Sequence, residues 1–508
     1  MWPPSRTAAF GGTKIGEVAF KWNVVLVYTD YWPGSKMNDD PRLRDKWTRN
    51  ALLAFSAIAV YHAAWISTGM LSPLALRWLL IACLALMAGV FGPPIRRIEA
   101  FREKPVLIVL AAGLALQFIE HLKDSVHSFS GSPAPLVHKL FIAGIAACAV
   151  LTLAATAGLA SSGKTWFVAV VIVHFFLGIA YLHIWGPPAI DVFVAQQDAS
   201  AALLSGHNPY AMTFPNIYGE GTTLYGPGLI ANGRTVFGFF YPPLSLFLCL
   251  PSYLLTGDVR FSHLAATTLS GLLIGFSGRG LLSRLAAVLF LFSPDVFFVV
   301  QSSWTEPFLV LLLAIVLFQC KLNCSPWLTL GLLLASKQYV VLAVPLAAWF
   351  LIRERSLRAF SALLLRAGAV TLAITLPLAL WNFGAFFWSV VWFQFLQPFR
   401  PDALSIPAWL VSLGFPQPPA WPAFVALVVA GVFLLKRLRP STAGFAASLA
   451  VIFMVFFSLN RQAFLNYYFL VGACLCSAIA ASDVKDGLDP GNLVGEETVA
   501  KKACESGA

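Results

Sequence analysis

The strongest constraint on this sequence is a succession of long apolar segments, separated by short loops that carry Lys and Arg. The first five segments occupy residues 51–69, 73–92, 105–119, 138–160 and 166–185. A helix needs about 20 residues to cross the hydrocarbon core of a bilayer, so all but 105–119 are long enough. With 58% hydrophobic and 11% charged residues, the chain lies outside the soluble globular range. We predict an all-α fold, a polytopic transmembrane helix bundle of about 12–15 apolar segments, some of them half-helices.

The distribution of Lys and Arg predicts the orientation of this bundle. Residues 1–50 form a basic segment, which the positive-inside rule places in the cytoplasm. Five crossings then put residues 186–240 outside, as an external loop domain after the fifth helix, and 381–419 forms a second external loop. The polar tail 482–508 is predicted to be disordered and cytoplasmic. We therefore expect a multi-pass integral membrane protein, whose net charge of +11 lies in inter-helix loops and does not indicate nucleic-acid binding.

The middle of the chain, residues 242–352, holds several apolar runs that are too short to cross a membrane alone. If every run crossed, Glu306 would lie on the side opposite Asp191. If residues 242–277 cross only once in net terms, the basic loops stay inside, and we favour this second arrangement. It places four later polar residues on the side of Asp191, namely Gln301, Trp304, Glu306 and Lys337.

The external loop 186–240 holds the residues that packing explains least well. Asp191 follows the end of the fifth apolar segment and is either a helix cap or a general base that accepts a proton from an alcohol. Asp198, seven residues later, shares a helical face with Asp191 and is a second carboxylate or part of a solvated surface. Asn208-Pro209-Tyr210 predicts a turn, and Asn232-Gly233 predicts a hairpin within a Gly-rich flap. Tyr241-Pro242-Pro243 predicts the start of the next helix.

Three cations and one further acid stand where the bilayer or the positive-inside rule disfavours charge. Glu306 either begins a helix, where the macrodipole favours an acid, or takes part in the chemistry. Lys337 interrupts an apolar stretch, as an anion partner or as a cation that snorkels to the interface. Arg461 lies at the outer end of the last helix and suits a phosphate, and Arg400 is a weaker candidate of the same kind. Cys320 and Cys324 could form half of a metal site, but no further His or Cys follows them at zinc spacing, so we predict no cofactor; a divalent metal is possible but has no support in the sequence.

The order of these motifs resembles the C-type superfamily of integral-membrane glycosyltransferases, which use polyprenyl-phosphate sugars. The resemblance rests on Asp191-Val192-Phe193, on Gly206 with Asn208-Pro209-Tyr210, and on Tyr241-Pro242-Pro243-Leu244. Pro294, Gln301 and Glu306, and then Lys337 before Pro345, are similar to its later motifs. The chain is closest to the bacterial mannosyltransferase-like branch, with residues 166–481 as the transferase-like module.

The sequence also departs from that family in three ways. No paired Asp-x-Asp is present at Asp191, and Ser303 occupies a position where the family has Gly. The missing pair puts the use of a metal in doubt. Residues 51–165 add four apolar runs before the matching part, and the resemblance gives these extra transmembrane helices no role.

The resemblance implies an inverting transfer of a hexose or pentose, with mannose favoured, from a polyprenyl-phosphate sugar to an acceptor hydroxyl on the external face. The acceptor would be a glycan, a glycolipid or a protein, and the enzyme would lie in a bacterial inner or plasma membrane. The candidate catalytic residues are Asp191, Asp198 and Glu306, and Lys337, Arg461 and Arg400 would bind the donor phosphate. The candidate substrate-binding residues are Asn208, Tyr210, Tyr241, Gln301, Trp304, Gln338, Tyr467 and Tyr468. A secondary transporter or lipid-linked-glycan flippase is the alternative, since broken helices and intramembrane charges fit it too; a non-catalytic scaffold is the third possibility.

Overall fold

The computed structural model describes residues 41–92, 103–128, 135–159, 163–219, 221–278, 280–352 and 356–482. Most of the predicted basic N-terminal segment and the predicted tail from residue 483 onward lie outside the described residues. The described residues from Arg42 onward form one compact unit.

The fold is all-α, as predicted. Five long helices come first: α1 (Pro41–Ile66), α2 (Pro73–Phe91), α3 (Lys104–Ser128), α4 (Pro135–Thr156) and α5 (Thr165–Trp185). The predicted external loop follows with α6 (Asp191–Leu204), β1 (Ile230–Ala231) and β2 (Arg234–Thr235). The middle of the chain holds α7 (Pro243–Thr256), α8 (Arg260–Ser277), α9 (Leu281–Leu291), α10 (Val296–Gln301), α11 (Glu306–Lys321), α12 (Trp327–Leu334), a 3-10 segment (Gln338–Ala343) and α13 (Val344–Phe350). The last third holds α14 (Leu357–Trp381), α15 (Phe383–Phe386), a π-helical segment (Phe387–Trp392), α16 (Phe393–Leu396), α17 (Ile406–Ser412), α18 (Trp421–Arg437), α19 (Thr442–Ser458) and α20 (Leu465–Ala481).

Five of the described helices are long and apolar enough to cross a membrane: α2, α3, α4, α5 and α14. A sixth span results if α7 and α8, which are bent by 114° at their junction, count together as one broken span. The expectation that the third apolar run is short was wrong. α3 has 25 residues, because the helix continues through the polar residues that follow the apolar run.

Short helices fill the middle of the chain, as the lengths of its apolar runs predict. α9 has 11 residues, α10 has 6, α12 has 8 and α13 has 7. α7 begins at Pro243, as predicted, with Pro242 as the residue before it. It ends at Gly257, whose left-handed φ of 74° lets the chain turn sharply into α8.

The core is centred on α9 and α20, whose side chains are buried almost throughout. The N-terminal helices pack onto this core, since the Tyr61 ring of α1 lies 6.5 Å from that of Phe469 in α20. A Cβ added at Gly472 would lie 2.3 Å from the Tyr61 ring, so only glycine allows this approach of α1 and α20. The extra N-terminal helices are therefore part of the same packed bundle.

The predicted external loop folds against the helical segment that spans residues 383–396. β1 and β2 pair through Asn232 and Gly233, which both have positive φ, as the predicted hairpin turn requires. The Phe237 ring stacks on Phe393 with 3.9 Å between the ring centres. These two pieces thus share a small aromatic core of their own, and part of the second predicted external loop is helical.

Candidate functional site

Asp191 is the first residue of α6, and its carboxylate is held by three donors. The Tyr225 hydroxyl donates to Oδ2 at 2.9 Å, and the Tyr218 hydroxyl donates to Oδ1 at 3.1 Å. The backbone N–H of Val192 donates to Oδ1 at 2.8 Å. Burial raises the pKa of the Asp191 carboxyl above its ordinary value, and the bonds from Tyr225, Tyr218 and Val192 oppose that rise. The group is a fixed, partly desolvated carboxylate, which is what a general base requires.

Sequence reasoning missed both tyrosines. They come from the Gly-rich flap and reach Asp191 from 27 and 34 residues away along the chain. No spacing rule links residues so far apart in an irregular loop. The available signal was the presence of two tyrosines in a segment that is otherwise rich in small residues.

The segment in front of Asp191 is fixed by a polar network on α8 and α10. The Gln301 amide donates to the carbonyl oxygen of Gly186 at 2.6 Å and accepts from Arg260 at 2.9 Å. Arg260 also donates to Gly186 and pairs with Asp258 through a contact of 2.6 Å. Gln301 therefore lies at the same end of the bundle as Asp191, as the favoured arrangement predicts, and it positions the loop. Arg260 was not singled out from the sequence.

Glu306 and Lys337 form a buried ion pair. Nζ of Lys337 lies 2.5 Å from Oε1 of Glu306, and the two residues are 5% and 0% exposed. The Tyr339 hydroxyl donates to the same oxygen at 3.0 Å. The other carboxylate oxygen, Oε2, is buried without a hydrogen-bond partner. The predicted catalytic acid and the predicted phosphate ligand thus neutralise each other, so neither is a free charge.

Three aromatic rings surround this ion pair. The Lys337 ammonium lies 5.2 Å from the ring centre of Tyr241, 5.3 Å from that of Tyr339 and 5.5 Å from that of Tyr467. These distances are within cation–π range. Tyr241 also lies within electrostatic range of both Asp191 and Glu306. It is the residue that links the Asp191 pocket to the ion pair.

Arg400 and Arg461, the two arginines predicted to be external, lie on neighbouring loop segments. The Arg400 backbone N–H donates to the carbonyl oxygen of Arg461 at 3.2 Å. The Arg400 guanidinium forms a two-pronged pair with Asp402, at 2.8 and 2.6 Å, and holds the pKa of that carboxyl below its ordinary value. Arg461 is exposed, and among the described residues no carboxylate pairs with it. Of the three predicted phosphate ligands, Arg461 is the one whose charge is uncommitted within the described chain.

Asp198 lies apart from the contacts of Asp191. Seven residues of helix separate them by about 10 Å along the axis. Burial raises the pKa of the Asp198 carboxyl, and the exposed Arg234 at the base of the flap opposes that rise. The charged side chain that acts on Asp198 is thus Arg234 of the hairpin, and a catalytic role for Asp198 stays a prediction.

Several predicted substrate-binding residues have structural contacts. Tyr210 is fully buried, and its hydroxyl donates to the carbonyl oxygen of Tyr241 at 2.9 Å. The Asn208 side chain accepts from the Tyr210 N–H at 2.9 Å, which makes the predicted turn. Gln338 donates to the carbonyl oxygens of Phe240 and Val390, at 2.9 and 3.1 Å. These contacts hold the end of the predicted external loop, at Phe240 and Tyr241, in place.

Two further members of that set lie in the packed interior. Tyr468 is fully buried and donates to the carbonyl oxygen of Leu404. Trp304 is partly buried, with its ring 5.6 Å from that of Phe298 in an edge-on contact. Tyr467 differs from both, because it borders the ion pair. Tyr467 and Tyr241 are the two predicted binding residues whose rings border the Glu306–Lys337 pair.

No three His, Cys, Asp or Glu side chains converge as metal ligands would in the part of the chain that the structure describes. Comparison of the chain with family models, with curated proteins and with solved structures finds no match.

Proposed function

We propose that the protein is a membrane glycosyltransferase that transfers a sugar from a polyprenyl-phosphate donor to an acceptor hydroxyl on the external face. One observation carries the proposal: the Asp191 carboxylate is fixed by three donors at the start of a helix that directly follows a membrane-spanning helix. Neither Asp191 oxygen forms an ion pair within the described chain, so the group is basic enough to accept a proton.

In this mechanism the acceptor hydroxyl attacks the anomeric carbon of the sugar while Asp191 takes the hydroxyl proton. The bond from the anomeric carbon to the phosphate oxygen breaks, and polyprenyl phosphate leaves with both bonding electrons. Attack opposite the leaving group inverts the anomeric centre. The Tyr218 and Tyr225 hydroxyls keep the carboxylate in one orientation, so that no reorganisation accompanies proton transfer.

The departing phosphate needs a cation, and the contacts favour Arg461 for this role. Lys337 is already neutralised by Glu306, and Arg400 by Asp402. The Arg461 guanidinium is exposed, and its backbone contact with Arg400 places it next to a residue within electrostatic range of Tyr218. A guanidinium fork matches two phosphate oxygens, which an ammonium cannot do.

A secondary transporter or lipid-linked-glycan flippase is the second candidate. It is favoured by the buried Glu306–Lys337 pair and by the 114° bend between α7 and α8. Intramembrane charges and broken helices are common in transporters. The two candidates differ in whether a covalent bond breaks.

The test is release of polyprenyl phosphate from a polyprenyl-phosphate hexose by the purified protein in detergent, with the parent compared with Asp191→Asn. Loss of the general base should lower turnover by about 10²–10⁴-fold. The amide keeps the shape of the side chain, so the folded protein should remain. Transport of an intact lipid-linked sugar without phosphate release, or parental turnover by Asp191→Asn, would contradict the proposal.

A further inference from the structure

A second carboxyl group, Asp295, lies inside the bundle and has no part in the reaction proposed above. It occupies the turn between α9 and α10, and its side chain is 0% exposed. Neither carboxyl oxygen has a hydrogen-bond partner. The ion pairs of the described chain do not include it. A buried carboxyl without either kind of partner is rare, because an isolated carboxylate is very costly in an apolar interior.

The usual structural role of such a residue does not apply here. Asp295 directly precedes α10, and its backbone carbonyl accepts from the Val299 N–H at 2.9 Å. An aspartate at that position normally also caps the helix with its side chain. The Asp295 side chain makes no such bond. It is therefore neither a cap nor half of an ion pair.

The polar groups near Asp295 are neutral hydroxyls. Ser293, two residues earlier, lies close to the carboxyl, and Tyr61 of α1 is within electrostatic range of it. Both hydroxyls are fully buried and have no hydrogen-bond partner within 3.5 Å, although the Ser293 hydroxyl is near enough to the Asp295 carboxyl to favour its anion. Among the described residues, the titratable side chains that contact this turn or the start of α10 are Tyr61 of α1, His121 of α3, and His174 and Tyr181 of α5, with Cys474 and Cys476 of α20 beside Tyr61. None of these is a Lys or Arg.

The two histidines are committed to other partners. His121 Nε2 lies 3.2 Å from the carbonyl oxygens of both Phe292 and Ser293, so it binds the backbone of the turn. His174 Nδ1 lies 3.1 Å from the Thr268 hydroxyl. Neither gives Asp295 a fixed positive charge. The turn is held in place from α3 while its carboxyl remains uncompensated.

We propose that Asp295 is a proton-binding site in the interior of the bundle, occupied in the folded protein. A single proton converts the costly anion into a neutral acid, whose hydroxyl can then donate to a neighbouring oxygen. A divalent cation such as Ca²⁺ needs six to eight oxygen ligands, far more than one carboxyl and two hydroxyls supply. Ser293 and Tyr61 are the polar neighbours of the proton.

The position of Asp295 connects this site to the external loop. α10 begins at Val296, directly after Asp295, and ends at Gln301, which donates to Gly186 in the segment ahead of Asp191. Six residues of helix span about 9 Å. Loss of the proton would place an uncompensated charge at one end of α10 and so act on the segment held by its other end. The proton site itself does not depend on the proposed transferase function.

Infrared spectroscopy of the purified full-length protein, with aspartate carboxyls labelled with ¹³C, tests this proposal directly. The difference between parent and Asp295→Asn at neutral pH should contain the C=O stretch of a neutral carboxylic acid, which shifts on labelling and in D₂O. The band should fall about tenfold for each pH unit above its midpoint. Asp191→Asn is the matched control, because its carboxyl is partly accessible and already held by three donors.

Asp295→Leu provides a second neutral replacement, so the comparison does not depend on one variant folding. A difference spectrum that contains only carboxylate stretches would overturn the proposal, because it would show an anion at neutral pH. Loss of the acid band on adding Na⁺ at constant pH would also overturn it, in favour of a sodium site. An acid band that is lost in both variants and kept in Asp191→Asn would support it.

Discussion

The buried pair of Glu306 and Lys337 allows a quantitative prediction about stability. The pair is joined at 2.5 Å, and its two side chains are 0% and 6% exposed. Removing one partner of a buried ion pair leaves an uncompensated charge, which costs about 3–5 kcal/mol. We expect Lys337→Met to lower the free energy of unfolding by this amount, because Glu306 would keep only the Tyr339 hydroxyl as a partner.

Glu306→Gln should cost less than Lys337→Met. The ammonium left behind would still lie 5.2 to 5.5 Å from three aromatic ring centres. Such contacts are worth about 2 kcal/mol or more when they are desolvated. The double variant removes both charges, so its cost should be well below the sum of the two single costs.

The assay is denaturant titration of the purified protein in detergent, arranged as a double-mutant cycle. The matched control is Lys123→Met, which removes a pair to Glu120 at 3.4 Å whose lysine is 60% exposed. An exposed pair contributes about 0–1 kcal/mol, so this variant should unfold almost like the parent. The prediction would be refuted if the losses of unfolding free energy in the two single variants were additive in the double variant. It would also be refuted if Lys337→Met were as stable as the Lys123→Met control.

Three further outcomes are expected. Tyr225→Phe removes a donor that stabilises the Asp191 carboxylate, so the pKa of Asp191 should rise further. Because the base must be ionised, the variant should lose activity at a higher pH than the parent as the pH is lowered. An unchanged pH–rate profile would count against Asp191 as the base. Arg461→Gln should raise the apparent KM for the donor and leave the acceptor KM unchanged, and Arg461→Lys should restore the donor KM in part. Arg400→Gln should have a smaller effect, because Asp402 already pairs with that guanidinium. Equal donor KM in all three variants would place the phosphate elsewhere. The basic loop Lys436-Arg437-Leu438-Arg439 is predicted by the positive-inside rule to be cytoplasmic. In a cysteine-free background, an impermeant maleimide should therefore label Ala231→Cys from outside and Arg439→Cys only after the membrane is opened. Labelling of both positions from one side would contradict the predicted topology.

The sequence predicted the local features of this fold well. The short apolar runs predicted the half-helices, Pro242-Pro243 predicted the start of α7, and Asn232-Gly233 predicted the hairpin turn. Each of these depends on a few consecutive residues, whose backbone preferences operate wherever they are placed. The length of α3 was missed because the helix continues through polar residues that a count of consecutive apolar residues leaves out.

The contacts of the site were predicted less well, because they join distant parts of the chain. Glu306 and Lys337 were each singled out as unusual charges, yet their 31-residue separation gave no sign that they pair. The same applies to Tyr218 and Tyr225, which reach Asp191 through an irregular loop. Chemistry can be assigned to single residues from the sequence, whereas compensation between charges needs the fold.

Asp295 illustrates the opposite error, a residue that the sequence could have identified. An acid in an apolar stretch, Ser293-Pro294-Asp295, is a functional hypothesis by default in a membrane protein. Its neighbours also suggest what the extra N-terminal helices contribute. α1 supplies Tyr61, and α3 supplies the histidine that fixes the turn. Without these two helices the carboxyl would lose the cover that isolates it, so the segment for which the family resemblance offers no role is the one that makes a buried proton site possible.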